Sequence, residues 1–269
     1  MTQHPHCIVA ISSGKGGVGK STVAMNLARA LQVQGLRVGL LDADVYGPSQ
    51  RCLLGVPEGT SPEQVGEKYL RPIEVDGLRS MSMAFLTSDR TPVVWRGPMA
   101  SGALIQMLEQ TQWGDIDILL VDMPPGTGDM QLTLAQRAAL TGAVIVTTPQ
   151  DVALLDARKG IEMFAKVAVP VLGIVENMAM HTCAACGHQE AVFGTGGGDT
   201  LAGDYNTDVL ARLPLDLRVR ELADLGKSVV TELPESDAAK AFLTAAQTLS
   251  EVLKSHQAPS APSISMGDD

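Results

Sequence analysis

Residues 8–22 read Ile-Val-Ala-Ile-Ser-Ser-Gly-Lys-Gly-Gly-Val-Gly-Lys-Ser-Thr, and this stretch decides the fold. Its first five residues form a short apolar run of the buried-strand type. From Lys20 to position 34 the apolar residues recur at three- and four-residue intervals, as on an amphipathic helix. Between them, positions 14–21 satisfy GxxxxGK[ST]. In such a loop, glycines let backbone N–H groups converge on phosphate oxygens, and the helix N-terminus adds positive partial charge. The reading therefore assigns Gly14, Lys15, Gly16, Gly17, Val18, Gly19, Lys20, Ser21 and Thr22 to a nucleotide, with Lys20 on the β- and γ-phosphates and Ser21 on magnesium.

The same alternation continues outward. Residues 38–42, 118–122, 143–147 and 171–176 read as strands, and 98–110, 131–140 and 153–165 as helices. Repeated βαβ units predict an α/β fold, a mostly parallel sheet flanked by helices on both faces. Apolar residues at 45% and aromatics at 3% suit a sheet core of aliphatic side chains. Two segments break the rhythm. Residues 53–82 contain a hairpin pattern, 69–75 and 78–83 around Asp76-Gly77. Residues 178–198 carry two cysteines and a glycine run, and a long excursion of this kind is usually functional. An amphipathic helix over 238–254 closes a single domain, residues 1–254, and the Ser-, Pro- and Ala-rich residues 255–269 are expected to be disordered.

A net charge of −10 leaves no excess of cations for a phosphate backbone, which disfavours nucleic acid and anionic lipid as partners. No apolar run approaches the roughly 20 residues of a membrane span, so no membrane association and a cytoplasmic location are expected. Four cysteines, two of them three positions apart, suit reduced thiols better than a disulfide framework.

Carboxylates for metal and water are expected at neighbouring strand ends, where open α/β sheets bind ligands. Asp42 and Asp44 follow one strand, and Asp122 ends another after Leu-Leu-Val, the pattern that holds magnesium in this class of site. Lys15 adds a second cation to the loop, repulsive toward Lys20 unless something anionic engages it.

GKGGVGKS with its early lysine, LDADVYGPS and VDMPPGTGD together resemble the deviant Walker A ATPases, the group that includes MinD, ParA and the nitrogenase iron protein. The resemblance implies that Lys15 acts in trans on a partner's nucleotide and that Asp44 positions the attacking water. It places Asp122 and Gly126 on the γ-phosphate-sensing segment. Asn177, with Pro214 and Asp216, matches adenine-contacting positions, which favours ATP.

Cys183-Ala-Ala-Cys186 is half of a metal site, since zinc and a 4Fe-4S cluster each take four ligands. A symmetric dimer would supply the rest. A redox dithiol, a zinc knuckle completed by His181 or His188, and ordinary buried cysteines compete with that reading, although the pair does not open a helix as a thioredoxin-like dithiol does. The wider stretch, Glu176-Asn177-Met178, CAACGH, Phe193-Gly194 and Gly196-Gly197-Gly198, resembles the Mrp-like branch of iron-sulfur cluster carrier ATPases over roughly residues 7–253. That resemblance implies a homodimer holding a 4Fe-4S cluster between Cys183 and Cys186 of both chains. It further implies slow, switch-like ATP hydrolysis with Mg2+, and exchange with scaffold proteins and apo iron-sulfur proteins. A positioning ATPase like MinD or ParA, and a zinc-stabilised regulatory ATPase, stand as alternatives. Many bacterial relatives carry a small domain ahead of the loop, whereas about six residues precede the first strand here; contacts made by that domain are expected to be absent or to come from another protein. Cys7 and Cys52 match no ligand position and are read as core or incidental thiols.

Overall fold

The computed structural model describes residues 5–86 and 97–257. The strands in chain order are β1 (Cys7–Ser12), β2 (Val38–Asp42), β3 (Gln64–Val65), β4 (Tyr69–Leu70), β5 (Ile73–Val75), β6 (Leu78–Ser82), β7 (Ile118–Asp122), β8 (Gly142–Thr147), β9 (Val171–Glu176), β10 (His181–Thr182), β11 (Gln189–Glu190) and β12 (Val209–Arg212). The helices are α1 (Lys20–Val33), α2 (Gln50–Leu53), α3 (Gly97–Gln110), α4 (Asp129–Arg137), α5 (Asp151–Lys166), α6 (Gly197–Tyr205), α7 (Leu217–Asp224), α8 (Val229–Glu232) and α9 (Asp237–Gln257). The expected tail falls, from residue 258, outside the described residues; its first three positions belong to α9.

Eight strands form one sheet in the order β12-β9-β8-β1-β7-β2-β6-β5, every neighbouring pair parallel except β5 with β6. The central strands β2, β7 and β8 are buried along their whole length, as a sheet covered on both faces requires. On one side α1 packs with α8 and α9; on the other α3, α4, α5 and α6 follow one another. Strand register does the work that matters for the site, because Asp42 lies opposite both Asp122 and Ser82.

The expected hairpin forms with shorter arms. β5 and β6 turn at Asp76 (φ 46°) and Gly77 (φ 76°), as an Asp-Gly type I′ turn demands, but Tyr69 and Leu70 pair with Gln64 and Val65 instead. Pro72, which has no N–H to give a ladder, separates the two pairings. The sequence pattern also missed β12 and the short helices α6, α7 and α8, whose apolar content is diluted by charged residues.

A close backbone crossing fixes α2 against the end of α7. A Cβ at Gly226, already at φ +70°, would lie 2.3 Å from the Gly55 Cα. Gly226→Ala is therefore expected to cost roughly 3 kcal/mol of stability, read by chemical denaturation, since neither backbone can yield locally.

Candidate functional site

Strand β1 ends in the glycine-rich loop, and α1 begins at Lys20. Gly17 (φ +85°) and Gly19 (φ +83°) supply the left-handed conformations that let the loop curl back over the helix start. Three neighbours hold this loop. The Gly126 N–H donates to the Ser13 carbonyl (3.0 Å), and the Asn177 side-chain amide donates to the Val18 carbonyl (2.8 Å). Gly14 packs so closely on α5 that a Cβ there would lie 2.1 Å from the Asp156 carbonyl carbon.

Beneath the loop sits a buried polar cluster. The Lys20 ammonium pairs with Asp122, with only 6% and 0% of the two side chains exposed. The other Asp122 oxygen accepts from Gln50 Nε2 (2.7 Å), which also donates to the Ser21 carbonyl (3.0 Å). Asp42 accepts from the backbone N–H of Gln50 (3.0 Å) and of Asp44 (3.2 Å), and from Ser82 Oγ (3.1 Å). Burial, together with the neighbouring Asp122 carboxylate, pushes Asp42 up to about 7. Two buried carboxylates thus share a single buried cation. With the Ser21 hydroxyl alongside, the donor set is hard oxygen with negative charge to spare, which suits a magnesium ion. Ser21, Asp42 and Asp122 are the residues that would hold it. The cation would supply charge balance for a triphosphate and free Lys20 to turn to it.

A cavity of about 360 Å³ opens over this cluster, lined by Lys15, Gly16, Gly17, Gly19, Lys20, Ser21, Thr22 and Asp44 among others. Lys15 is half-buried at its edge and has no ion pair among the described residues. The Asp44 carboxylate accepts from the Gly47 N–H (3.3 Å). Of the three expected adenine positions, only Asn177 reaches the loop. Pro214 lines a separate cavity of about 450 Å³ with Glu176, Met180 and Arg212. Asp216 caps α7 through the Arg218 N–H (2.9 Å) and pairs with the Arg218 guanidinium.

The cysteines occupy the tip of a small hairpin, β10 with β11, in which His181 faces Glu190 and Thr182 faces Gln189. The Cys183 N–H donates to the His188 carbonyl (2.9 Å) and the Gly187 N–H to the Cys183 carbonyl (2.8 Å), with Gly187 at φ +73°. This tight knuckle aims the backbone N–H groups of Ala185 and Cys186, and the Cys186 thiol, at the Cys183 sulfur; these donors hold the Cys183 thiol below its ordinary pKa. Cys183 is half-buried and Cys186 exposed, so the reading of ordinary buried cysteines is wrong for both. Among the described residues no group of three or more His, Cys, Asp or Glu side chains is placed to hold a metal ion, so neither His181 nor His188 completes a knuckle in one chain. Cys7 lies in the core, and Cys52 is exposed.

Sequence reasoning missed Gln50 and Ser82, and gave no role to two residues of the stretches it did quote, Glu176 and Gly198. The last two join in a 2.5 Å bond from the Gly198 N–H to the buried Glu176 carboxylate, which ties α6 to the end of β9. Immediately beyond, Asn177 grips the loop, and Met178 takes an unusual φ of +57° at the root of the cysteine excursion.

A phosphate-type loop between a first strand and its helix, facing strand-end carboxylates in register, defines a P-loop NTPase. Comparison with known proteins narrows the class. The family described as ParA, NUBPL iron-transfer P-loop NTPase, matches residues 5–250. The iron-sulfur cluster carrier protein of Pseudomonas fragi is 60% identical over 241 residues, 90% of this chain and 84% of that protein. The carrier protein of the same name from Escherichia coli is 56% identical over 230 residues, 86% of this chain but 62% of the longer relative. Among solved structures, a nucleotide-binding protein of Archaeoglobus fulgidus in complex with ADP superposes with a TM-score of 0.75 at 39% identity, covering 88% of this chain and 92% of that one. The chain belongs to the NUBPL iron-transfer P-loop NTPase family.

Proposed function

We propose that this chain is an ATP-dependent iron-sulfur cluster carrier: two copies hold one 4Fe-4S cluster as cargo between their paired Cys183 and Cys186, and slow ATP hydrolysis with Mg2+ switches the pair between holding and releasing it. The observation that carries this reading is the knuckle itself. It presents two thiols to solvent, one of them acidified, and no third ligand joins them from the described residues of the same chain. A cluster needs four ligands, and a second copy supplies the missing pair by symmetry. Supporting it, exposed Val152 and Leu155 lie on α5, the helix against which Gly14 packs, and exposed Tyr46 and Val192 flank Asp44 and the knuckle. Such apolar side chains suit a surface that is covered when two copies meet.

Delivery then consists of thiolate exchange. Acceptor thiols replace Cys183 and Cys186 on iron, one Fe–S bond forming for each that breaks, with each incoming proton passing to a departing sulfur and no change of oxidation state. Scaffold proteins on the supply side and apo iron-sulfur proteins on the receiving side are the partners this requires, and the cytoplasm is the compartment we assign. No helix among the described residues is long and apolar enough to cross a membrane. A positioning role on membranes draws no support from α9, which buries Ala238, Phe242, Ala245, Leu249 and Leu253 against the domain.

Anaerobic reconstitution with iron and sulfide, followed by mass in solution and metal analysis, tests this function. The expected product is a dimer with about one cluster per two chains. A monomer that binds only zinc would contradict it. We further expect Lys15→Ala to bind ATP within about threefold of wild type, yet to lose hydrolysis by about 1,000-fold, because a cation acting across a dimer interface contributes to the transition state and little to ground-state binding. Single-turnover hydrolysis beside equilibrium ATP binding reads both quantities.

A further inference from the structure

The reading of this site as one for magnesium and nucleotide leaves a residue unaccounted for. Gln50 begins a four-residue helix, yet its side chain is wholly buried beneath the phosphate loop. Its hydrogen bonds reach all three expected magnesium ligands or their backbone. Its N–H holds Asp42 (3.0 Å), and its Nε2 group spans Asp122 (2.7 Å) and the Ser21 carbonyl (3.0 Å). Its Oε1 is buried with no hydrogen-bond partner among the described residues. A buried amide oxygen left unsatisfied costs about 1–3 kcal/mol, so this acceptor is expected to be met by a donor. None of the donors of this cluster, the Lys20 ammonium and the Ser21 and Ser82 hydroxyls among them, meets Oε1, which leaves water as its donor, and in a metal site water bound to the ion.

We propose that Gln50 is the positioning residue of the magnesium site, orienting Asp42, Asp122 and Ser21 together through its three donors and accepting a hydrogen bond from water on the ion through Oε1. When Lys20 turns from Asp122 to a phosphate, Gln50 is the remaining side-chain donor on that carboxylate and keeps it aimed. Gln50 also lies at the far end of the segment 45–49 that follows Asp44, and its N–H on Asp42 anchors that end to the same carboxylate that holds the Asp44 N–H.

The test is ADP affinity on the full chain, measured with magnesium and again with EDTA, for wild type, Gln50→Leu and Gln50→Met, with thermal melting beside it; the Met variant keeps the buried volume should Leu lower stability. The wild type should bind ADP more tightly with magnesium. The substitutions should cut that magnesium-dependent gain by about 10- to 100-fold, as loss of a partner behind metal ligands does, and leave binding in EDTA unchanged. Equal losses with and without magnesium would make Gln50 merely structural and overturn the proposal, as would an unchanged gain. A wild type indifferent to magnesium would overturn the magnesium reading itself, an outcome distinguishable because it needs no variant.

Discussion

Replacing either Cys183 or Cys186 with alanine is expected to abolish cluster binding, taking reconstituted iron and sulfide to less than about a tenth of the wild-type content. The size of the effect follows from symmetry. In a homodimer each single substitution deletes two of four ligands, and two remaining thiolates do not retain a cluster against solvent and free thiols. Cys183→Ala should be the more severe of the two in the kinetics of uptake. It removes the sulfur that accepts from the Ala185 and Cys186 amides and is therefore the readier thiolate. ADP affinity should stay within about twofold of wild type in both variants, since the knuckle stands on its own hairpin and does not line the phosphate cavity. Absorption spectra with iron and sulfide determination read the first effect, and nucleotide titration reads the second. Iron retained in both variants would remove the cysteines from the account.

Lys20→Ala is expected to weaken ATP binding by about 100-fold, equivalent to about 3 kcal/mol, because it deletes a buried charge that would move directly onto the phosphates. The same substitution should also lower the stability of the nucleotide-free protein by roughly 3 kcal/mol. Asp122, fully buried and in register with Asp42, would lose its only ion pair among the described residues. Both effects arise from one feature, since in this conformation the Lys20 ammonium is held by Asp122 and must leave it to bind phosphate. Titration calorimetry and denaturant unfolding measure the two. A stability loss without an affinity loss would mean that Lys20 is structural alone.

The parts of this site that the sequence made legible are those where chemistry and position coincide. A strand, a loop with four fixed positions in eight residues and a helix cannot be permuted without losing the phosphate cradle, so the position of this loop was readable from spacing. Asp42 and Asp122 were readable because each ends a wholly apolar strand, and the parallel register then sets them side by side. Gln50 was not readable, because an amide after Gly-Pro-Ser resembles any helix start, and only the tertiary fold buries it. β12 was missed because its four residues, Val-Leu-Ala-Arg, gain strand character only by pairing with β9. Pro214 and Asp216 were expected at the base from the resemblance and not from spacing, and they do not line the phosphate cavity. Their backbone sits beside the cysteine hairpin through a 3.1 Å bond between His181 Nδ1 and the Leu215 carbonyl, outside the phosphate cavity.

The hydrogen bonds at the end of β9 give the carrier account its physical link between nucleotide and cargo. Glu176 holds α6, Asn177 holds the phosphate loop, and Met178 opens the cysteine excursion at a backbone angle that ordinary side chains avoid. A nucleotide that engages Asn177 would compete for its bond to Val18, so loop and knuckle share a common root three residues long.

Carriage itself is tested most directly by mixing the reconstituted dimer with an apo-protein that takes a 4Fe-4S cluster, in the presence of an iron chelator, and following acquisition of the cluster by the acceptor. The account predicts that the acceptor gains an intact cluster while the dimer loses one, with the chelator capturing little iron on the way. A cluster that stays on the dimer, or reaches the acceptor only through iron the chelator can intercept, would contradict it.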